Sequence, residues 1–564
     1  MNRRLLLLVL ALGLFIRLIF LGQIPSGFTP DEASQGYAAY SLLKTGKDEW
    51  GIPYPVTSFR AFADYRAPLQ TYLIVTSVAV FGLNEFAVRL PSAIFGTLSI
   101  LAIYLLTNFL YPKKVKLAGF LEIESGLLAA SFMAISPWSI QFSRTALEAN
   151  FASFLFPFGL YLLLKGIKDS PKLLALSAFI LGLDLYSYLA AKLFVPVFLL
   201  ALLIIYRKTI LKKGISYFIP FLIIFNVMAV PIYYDAAFGP GNSRGKDLII
   251  TNLSQENLKT ISDQQYLSPL NNFSPILTRL FTNKLTFIAQ EFSTNYVSYL
   301  SPSFWFTEGG RETTYAIFPG NGLIYLWMFP LILIAVFKLL SDKKELSLIL
   351  ILWLLLGIVP AAITKEGYRP NRAGSLMGLW EMVAAIGFIE LTVLLPFFKK
   401  ISGILIFKLI IVISLLFYLN LYFFTSSVLY PDALNYGYRD LINKVGQQQS
   451  KYSRVIFDKG SESQVFLAFY TKMDPAVYQQ ISPRWWSEIK DKDLLFLDMI
   501  PHYQLGKYYF KNFDQSTDLK PGNLVIIPAN KYRQDMEKDV VDQVAYPNKE
   551  TAFYLLSVKE LVQR

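Results

Sequence analysis

Two adjacent carboxylates, Asp31 and Glu32, follow Pro25, Gly27 and Pro30, residues that bar helix and fix a turn. They open a predicted helix running to about Lys44. Acidic residues at a helix start are what capping and the helix dipole select. A carboxylate pair directly beyond an apolar run is also placed to meet a substrate at a lipid surface. One carboxylate can take a proton from an attacking hydroxyl while the other orients a sugar or a cation. A second chemical pattern lies in Thr-Lys-Glu-Gly-Tyr-Arg-Pro-Asn-Arg-Ala-Gly, where Tyr368 precedes Arg369 and Arg372 follows three residues on. The planar guanidinium fork suits a phosphate, held by paired charge-assisted hydrogen bonds. Arg144 and Glu148, spaced i, i+4, form either an intrahelical ion pair or a charged pair facing a water-filled cavity. Tyr186, Tyr188 and Lys192, between two apolar runs, complete the candidates.

Apolar segments must position these groups. Of the 564 residues, 54% are hydrophobic and only 16% charged, where soluble domains carry about a quarter charged residues, so the composition favours a membrane class. Eleven segments are expected to span: 4–22, 87–110, 126–141, 148–165, 172–190, 192–206, 216–233, 321–340, 346–363, 375–398 and 401–424. The run 69–82 is too short to span and is expected to lie along the interface. Arg17, inside the first segment, is expected to snorkel to the interface. Basic residues gather in alternate connections: Lys113, Lys114 and Lys116; Lys165, Lys168 and Lys172; Arg207, Lys208, Lys212 and Lys213; Lys338, Lys343 and Lys344; Lys399 and Lys400. With Arg3 and Arg4 they fall on one side, which the positive-inside rule makes cytoplasmic. An odd number of spans then places the C-terminus outside. Arg369 and Arg372 fall on the opposite side, where that rule disfavours them, and a phosphate there supplies the reason.

The outer loops are then 23–86 and 234–320. The second carries Trp305, Glu308, Arg311 and Glu312, and its aromatics are assigned to the interfacial belt rather than to sugar stacking. The segment 1–430 reads as one membrane domain. Residues 431–564 lack long apolar runs and read as a soluble extracytoplasmic α/β domain. Its expected strands are Arg454–Asp458, Leu494–Met499, Leu524–Pro528 and Ala552–Leu556, and its expected helices Tyr436–Gln449 and Glu462–Tyr470. The net charge of +13 is scattered between apolar runs, which argues against nucleic acid. No cysteine is present, and a single histidine, His502, makes neither a triad nor a zinc site.

The Asp31–Glu32 pair, Arg-Ala-Pro-Leu-Gln from Arg66, and Asn-Glu-Phe-Ala-Val-Arg-Leu-Pro-Ser-Ala around Arg89 together resemble a known family. It is the superfamily of protein O-mannosyltransferases and aminoarabinose-to-lipid A transferases. Ser-Arg-Thr-Ala-Leu-Glu-Ala-Asn and Arg-Pro-Asn-Arg-Ala-Gly look similar to family segments too. The resemblance covers about residues 1–425. It implies a GT-C fold and an inverting transfer from a polyprenyl-phosphate sugar to a lipid, glycan or protein hydroxyl, at the outer face of the cytoplasmic membrane. By resemblance Asp31 is the base or the acceptor-orienting group, and Glu32 shapes the pocket. Arg372 binds the carrier phosphate with Arg369 as helper, while Arg66, Arg89 and Glu148 match motif positions. Departures from the family pattern at Ala67 and Asn371 leave the subfamily and a divalent-metal requirement open. The enzymatic expectation requires the acidic pair and the late arginines to serve one pocket. The rivals are a transporter or flippase of lipid-linked sugars, a membrane sensor, and a glycan ligase or polymerase using a lipid diphosphate.

Overall fold

The computed structural model describes residues 2–62, 64–239, 249–270, 274–310, 317–342, 344–365, 367–460, 462–494 and 496–558. Arg311, Glu312 and Lys343 lie outside the described residues. Contacts divide the chain into two compact units. One comprises Met1–Val9, Ser99–Ser139 and Phe151–Lys408, and the other Leu10–Leu98, Ile140–Asn150 and Leu409–Arg564.

Six helices are long and apolar enough to cross a membrane: Glu85–Leu110, Ala149–Lys168, Leu189–Lys213, Ile215–Phe238, Glu345–Ala362 and Ile401–Leu429. A seventh span arises if Pro370–Leu376 and Leu379–Leu394, bent by 53°, count as one. The chain is a multi-pass membrane protein. The other predicted spans also fold as helices, but shorter ones: Asn2–Leu18, Ser125–Ile135, Pro171–Asp184 and Met328–Asp342. Pro137 and Pro171 start new helices where their missing N–H groups cost nothing, which divides the apolar runs. The run 69–82 forms the helix Leu69–Phe81.

In the first unit Trp305 departs from the expected interfacial belt. It is buried, donates its indole N–H to the Tyr299 carbonyl at 2.7 Å, and packs against Trp138, Phe304 and Trp380 with ring centroids 5.7, 4.9 and 5.4 Å away. An indole whose N–H finds an internal acceptor gains nothing from the lipid boundary.

The second unit is built around one apolar core. Phe28, Tyr37 and Trp50 from the loop 23–86 pack with Tyr438, Phe466, Phe469, Trp485, Tyr503 and Phe510 from the C-terminal segment. That segment carries a six-stranded sheet, ordered His502–Leu505, Tyr508–Lys511, Arg454–Asp458, Asn523–Pro528, Thr551–Leu556, Val540–Ala545. Arg454–Asp458 runs parallel to both its neighbours; the other pairs are antiparallel. The helices Tyr438–Gln448 and Ser463–Tyr470 lie where the sequence places them. Of the expected strand Leu494–Met499, residue 495 lies outside the described residues and Leu497–Met499 forms a 3-10 turn; the Leu497 amide donates to the Phe62 carbonyl at 3.1 Å, so this turn is tied to the segment 23–86.

Arg17 does not snorkel. It is fully buried in the second unit, where its Nε donates to Ser143 Oγ at 3.1 Å and its Nη1 to the Gly13 carbonyl at 3.0 Å. Gly96 makes the room, since a Cβ there would lie 1.8 Å from Ser143 Oγ and 3.2 Å from Arg17 Nε. A guanidinium with internal acceptors has no need of the interface.

Candidate active site

Thr29 caps the helix Pro30–Thr45, with Pro30 at its first position. The Glu32 amide donates to Thr29 Oγ1 at 3.1 Å, and the Thr29 amide donates back to Glu32 Oε2 at 3.0 Å, closing a capping box. Glu32 also accepts Arg89 Nε at 2.7 Å and the Ala146 amide at 3.2 Å. Arg89 in turn donates to the carbonyls of Leu21, Pro25 and Gly27, so it ties the turn before the helix to the carboxylate that caps it. Glu32 and Arg89 are both essentially unexposed. Both side chains are engaged in structure.

Asp31 is only partly buried. Its backbone carbonyl accepts Arg66 Nη1 at 3.5 Å, while Arg66 Nη2 donates to Ser34 Oγ at 3.0 Å and lies 3.7 Å from Glu49 Oε1. Ser34 donates onward to Glu49 Oε1 at 3.2 Å. Asp48 Oδ1 accepts the amides of Trp50 and Ile52 at 3.0 and 2.8 Å. Among the described residues, the buried atoms Glu49 Oε2, Asp48 Oδ2 and Arg66 Nε find no hydrogen-bond partner. Burial pushes both carboxyls of this coupled pair above the usual carboxylate range, and the charge of Asp48 adds to the rise at Glu49. Sequence reasoning passed over this second Asp-Glu pair, although Lys-Asp-Glu-Trp repeats the signal at positions 47–50.

Arg144 and Glu148 do not share a helix. Arg144 ends the helix Pro137–Arg144, and Glu148 precedes the next, Ala149–Lys168. The intervening turn gives the Ala146 amide to Glu32 and closes on itself through the Leu147 amide and Thr145 carbonyl, at 2.9 Å, so the helical phase is lost. Arg144 donates to the carbonyls of Ile16, Ile19 and Ile24 at 2.6, 2.7 and 2.8 Å. Glu148 accepts Gln35 Nε2 at 3.3 Å.

The late arginines and Lys192 belong to the first unit. A cavity of about 290 Å³ is lined by Tyr188, Lys192, Thr364 and Arg372 together with apolar residues that include Leu189 and Pro360. Arg372 Nη1 donates to Thr364 Oγ1 at 2.9 Å and to the Lys365 carbonyl. Thr364 is held in turn, its carbonyl accepting Asn295 Nδ2 at 3.1 Å. Arg369 and Tyr368 do not line this cavity. The Arg369 amide donates to Tyr299 Oη at 3.0 Å, and Tyr368, at φ 71°, pairs its hydroxyl with Ser303 Oγ at 2.6 Å. Tyr186 gives its hydroxyl to the Met228 carbonyl at 2.8 Å, likewise away from the cavity. The structure therefore brings Arg372 and Lys192 together. Among the described residues no three His, Asp or Glu side chains converge as metal ligands.

Residues 65–234 match the family model described as dolichyl-phosphate-mannose-protein mannosyltransferase. That stretch holds Arg66, Arg89, Arg144, Glu148, Tyr186 and Lys192, while Asp31, Arg369 and Arg372 lie outside it. Over 126 residues the chain is 33% identical to undecaprenyl phosphate-alpha-4-amino-4-deoxy-L-arabinose arabinosyl transferase 2 of Pseudomonas fluorescens, covering 22% of this chain and 20% of that protein. Over 152 residues it is 31% identical to YkcB of Bacillus subtilis, named as a mannosyltransferase, covering 26% and 20%. The chain thus spans about a fifth of the length of the curated relatives it matches. Among solved structures, ArnT of Cupriavidus metallidurans bound to undecaprenyl phosphate aligns with a TM-score of 0.44 at 12% identity, covering 97% of each chain. AglB of Archaeoglobus fulgidus, an oligosaccharyltransferase in complex with an inhibitory peptide and a dolichol-phosphate, aligns at 0.48 and 13%, covering 83% of this chain and 63% of its own. The family-model match and the two partial sequence matches agree with the resemblance drawn from the motifs.

Proposed function

We propose that the protein is a membrane glycosyltransferase that moves a sugar from a polyprenyl-phosphate carrier to a hydroxyl on a lipid, glycan or protein, at the outer face of the cytoplasmic membrane. The observation that carries this reading is the cavity that sets Arg372 and Lys192 among apolar walls. A phosphate on an apolar tail has that double character: the cations take the head and the walls take the first methylenes.

The sugar phosphate already holds a good leaving group, so the protein's tasks are to hold the phosphate, orient a hydroxyl and accept its proton. In this scheme Arg372 and Lys192 hold the phosphate oxygens. Asp31, the less enclosed of the two adjacent carboxylates, takes the acceptor proton. The acceptor oxygen bonds to the anomeric carbon as the bond from that carbon to the phosphate oxygen breaks, and the electron pair leaves with the lipid phosphate. One displacement inverts the anomeric centre. The N-terminus is cytoplasmic and the C-terminal segment external. Because the chain has no cysteine, a single introduced one, labelled from outside intact cells at an exposed C-terminal position such as Lys549, tests that orientation.

Transfer from undecaprenyl-phosphate-linked mannose into membrane vesicles is the test of function. Arg372→Ala is expected to raise the donor concentration needed for half-maximal rate about tenfold or more, the loss of one charge-assisted phosphate contact. Unchanged donor dependence would overturn the phosphate assignment. Asp31→Asn should lose most turnover; if it instead moves lipid-linked sugar between leaflets as well as wild type without transferring it, the flippase reading gains.

A further inference from the structure

The segment that follows Ile249 leaves the wall of the Arg372 cavity and returns to it. Ile249 lines the cavity and bridges Thr364, and the Ile250 amide donates to the Ile363 carbonyl at 3.0 Å. The chain then runs through the helices Gln255–Leu270, Pro275–Phe281 and Lys284–Leu300. It is pinned again where Asn295 Nδ2 donates to the carbonyls of Ala362 and Thr364 at 3.3 and 3.1 Å. The bend before the last helix is fixed too. Asn283 Oδ1 accepts the amides of Leu285 and Thr286, and Gln265 Nε2 donates to the Thr282 carbonyl.

The exposed surface of this excursion changes character along its length. Glu256, Lys259 and Asp263 are exposed on the first helix. From Tyr266 to Phe281 there is no carboxylate, and Arg279 is the single charge. Tyr266, Leu267 and Leu270 of the first helix and Ile276, Leu280 and Phe281 of the second are all exposed, Ile276 by 80% and Phe281 by 71%. Single exposed apolar residues are ordinary, whereas a group of them gathered on one fixed tip marks a surface that is covered in use. Depth identifies the cover. Tyr296 Oη, on the helix that leaves the tip, donates to the Leu355 carbonyl at 2.9 Å. Leu355 lies about 10 Å, two helical turns, inside the end of the span Glu345–Ala362. Leu348, Ile351 and Leu355 are exposed along one flank of that span, the surface a bilayer covers. Val297 and Leu285 carry exposed apolar surface on from there toward the tip.

We propose that the tip Tyr266–Phe281 is a lipid-docking element, whose apolar face inserts among the acyl chains of the leaflet bordering the Arg372 cavity. Its exposed face continues the lipid-facing flank of a span, and acyl chains cover both at once. An amphipathic helix held in this way sits about 5–10 Å into the boundary between headgroups and acyl chains. Arg279 suits that depth, because its stem lies along apolar surface while its guanidinium reaches a headgroup phosphate. A carboxylate would be repelled there, and the tip has none. Both ends of the excursion are hydrogen-bonded at Ile363 and Thr364, so insertion of the tip holds that wall of the cavity at the lipid surface. Docking of the tip goes beyond the glycosyl-transfer reading and does not depend on it.

The test uses the full chain in nanodiscs of phosphatidylethanolamine and phosphatidylglycerol, one copy to a disc. Because the chain has no cysteine, Phe281→Cys and Lys259→Cys each take a single fluorophore. Nitroxide-bearing lipids are expected to quench the label at 281, most strongly with the nitroxide near the headgroup end of the acyl chain, while aqueous iodide leaves it bright. The label at 259 should show the reverse. Equal iodide quenching at the two positions overturns the proposal. So does a label at 281 that becomes shielded from iodide only when two copies share a disc, since the tip then docks on a second chain. Leu277→Asp with Leu280→Asp, both exposed positions, added to Phe281→Cys should abolish lipid quenching at 281 and leave the melting temperature in detergent unchanged. Lipid quenching that survives the two aspartates sinks the idea, and a lowered melting temperature would assign the tip to internal packing and sink it equally.

Discussion

Because Glu32 sits enclosed by Arg89, the Thr29 cap and the Ala146 amide, deleting either member of the ion pair leaves the other charge buried and unpaired. Arg89→Ala or Glu32→Ala is therefore expected to cost about 3–5 kcal/mol of stability, seen as a lower melting temperature in detergent. Asp31→Asn, one residue away and partly buried, should melt like wild type while losing turnover. Equal destabilisation by both substitutions would erase the distinction. The Asp48–Glu49 pair adds a pH dependence. Their carboxyls are raised in the fold, so the folded chain binds more protons than the unfolded one. The stability from this source is complete below the ordinary carboxylate pKa and is lost as pH rises toward and through the raised values. Glu49→Gln, which fixes the neutral form, should flatten the fall in melting temperature from acidic to mildly alkaline pH; an unchanged slope would show that another group causes it.

At the scale of elements, the approach of Pro30–Thr45 to Ser463–Tyr470 depends on Gly36, where a side chain would run into Phe469 and Val88. Gly36→Val is expected to destabilise by about 1–3 kcal/mol, the usual penalty of overpacking, measured by thermal unfolding, and a neutral result would mean that the helices can part freely. Much of this level was readable in advance. Periodic apolar runs place the helices, the turn at Pro25–Pro30 announces the helix that follows, and Leu524–Pro528 and Ala552–Leu556 carry the β-rich composition of strands that did form. His502–Leu505 and Tyr508–Lys511 escaped because polar residues interrupt them; they pair with each other as a hairpin, which joins the sheet only through the pairing of Tyr508–Lys511 with the distant strand Arg454–Asp458. The i, i+4 spacing of Arg144 and Glu148 misled because spacing measures a face only while the helix continues.

For the whole molecule, the linear boundary near residue 430 differs from the division made by contacts. Phe28, Tyr37, Trp50 and Val88 from the N-terminal part share one core with Tyr438, Phe466, Phe469 and Trp485 from the C-terminal part. Burial of each such side chain stabilises by about 1.5–3 kcal/mol, against a typical net stability of about 5–15 kcal/mol. Ending the chain after Tyr430 uncovers several of them at once, and with them the surface that positions the helix carrying Asp31. The truncated protein should still enter the membrane, because its apolar helices remain. Its 23–86 segment should become open to protease, however, while the full chain resists cleavage there. Limited proteolysis of both proteins in detergent, read by mass spectrometry, distinguishes the cases. A truncated chain that keeps the same resistance and transfer activity would mean that the C-terminal segment is an appendage, and that Asp31 is positioned by the membrane helices without it.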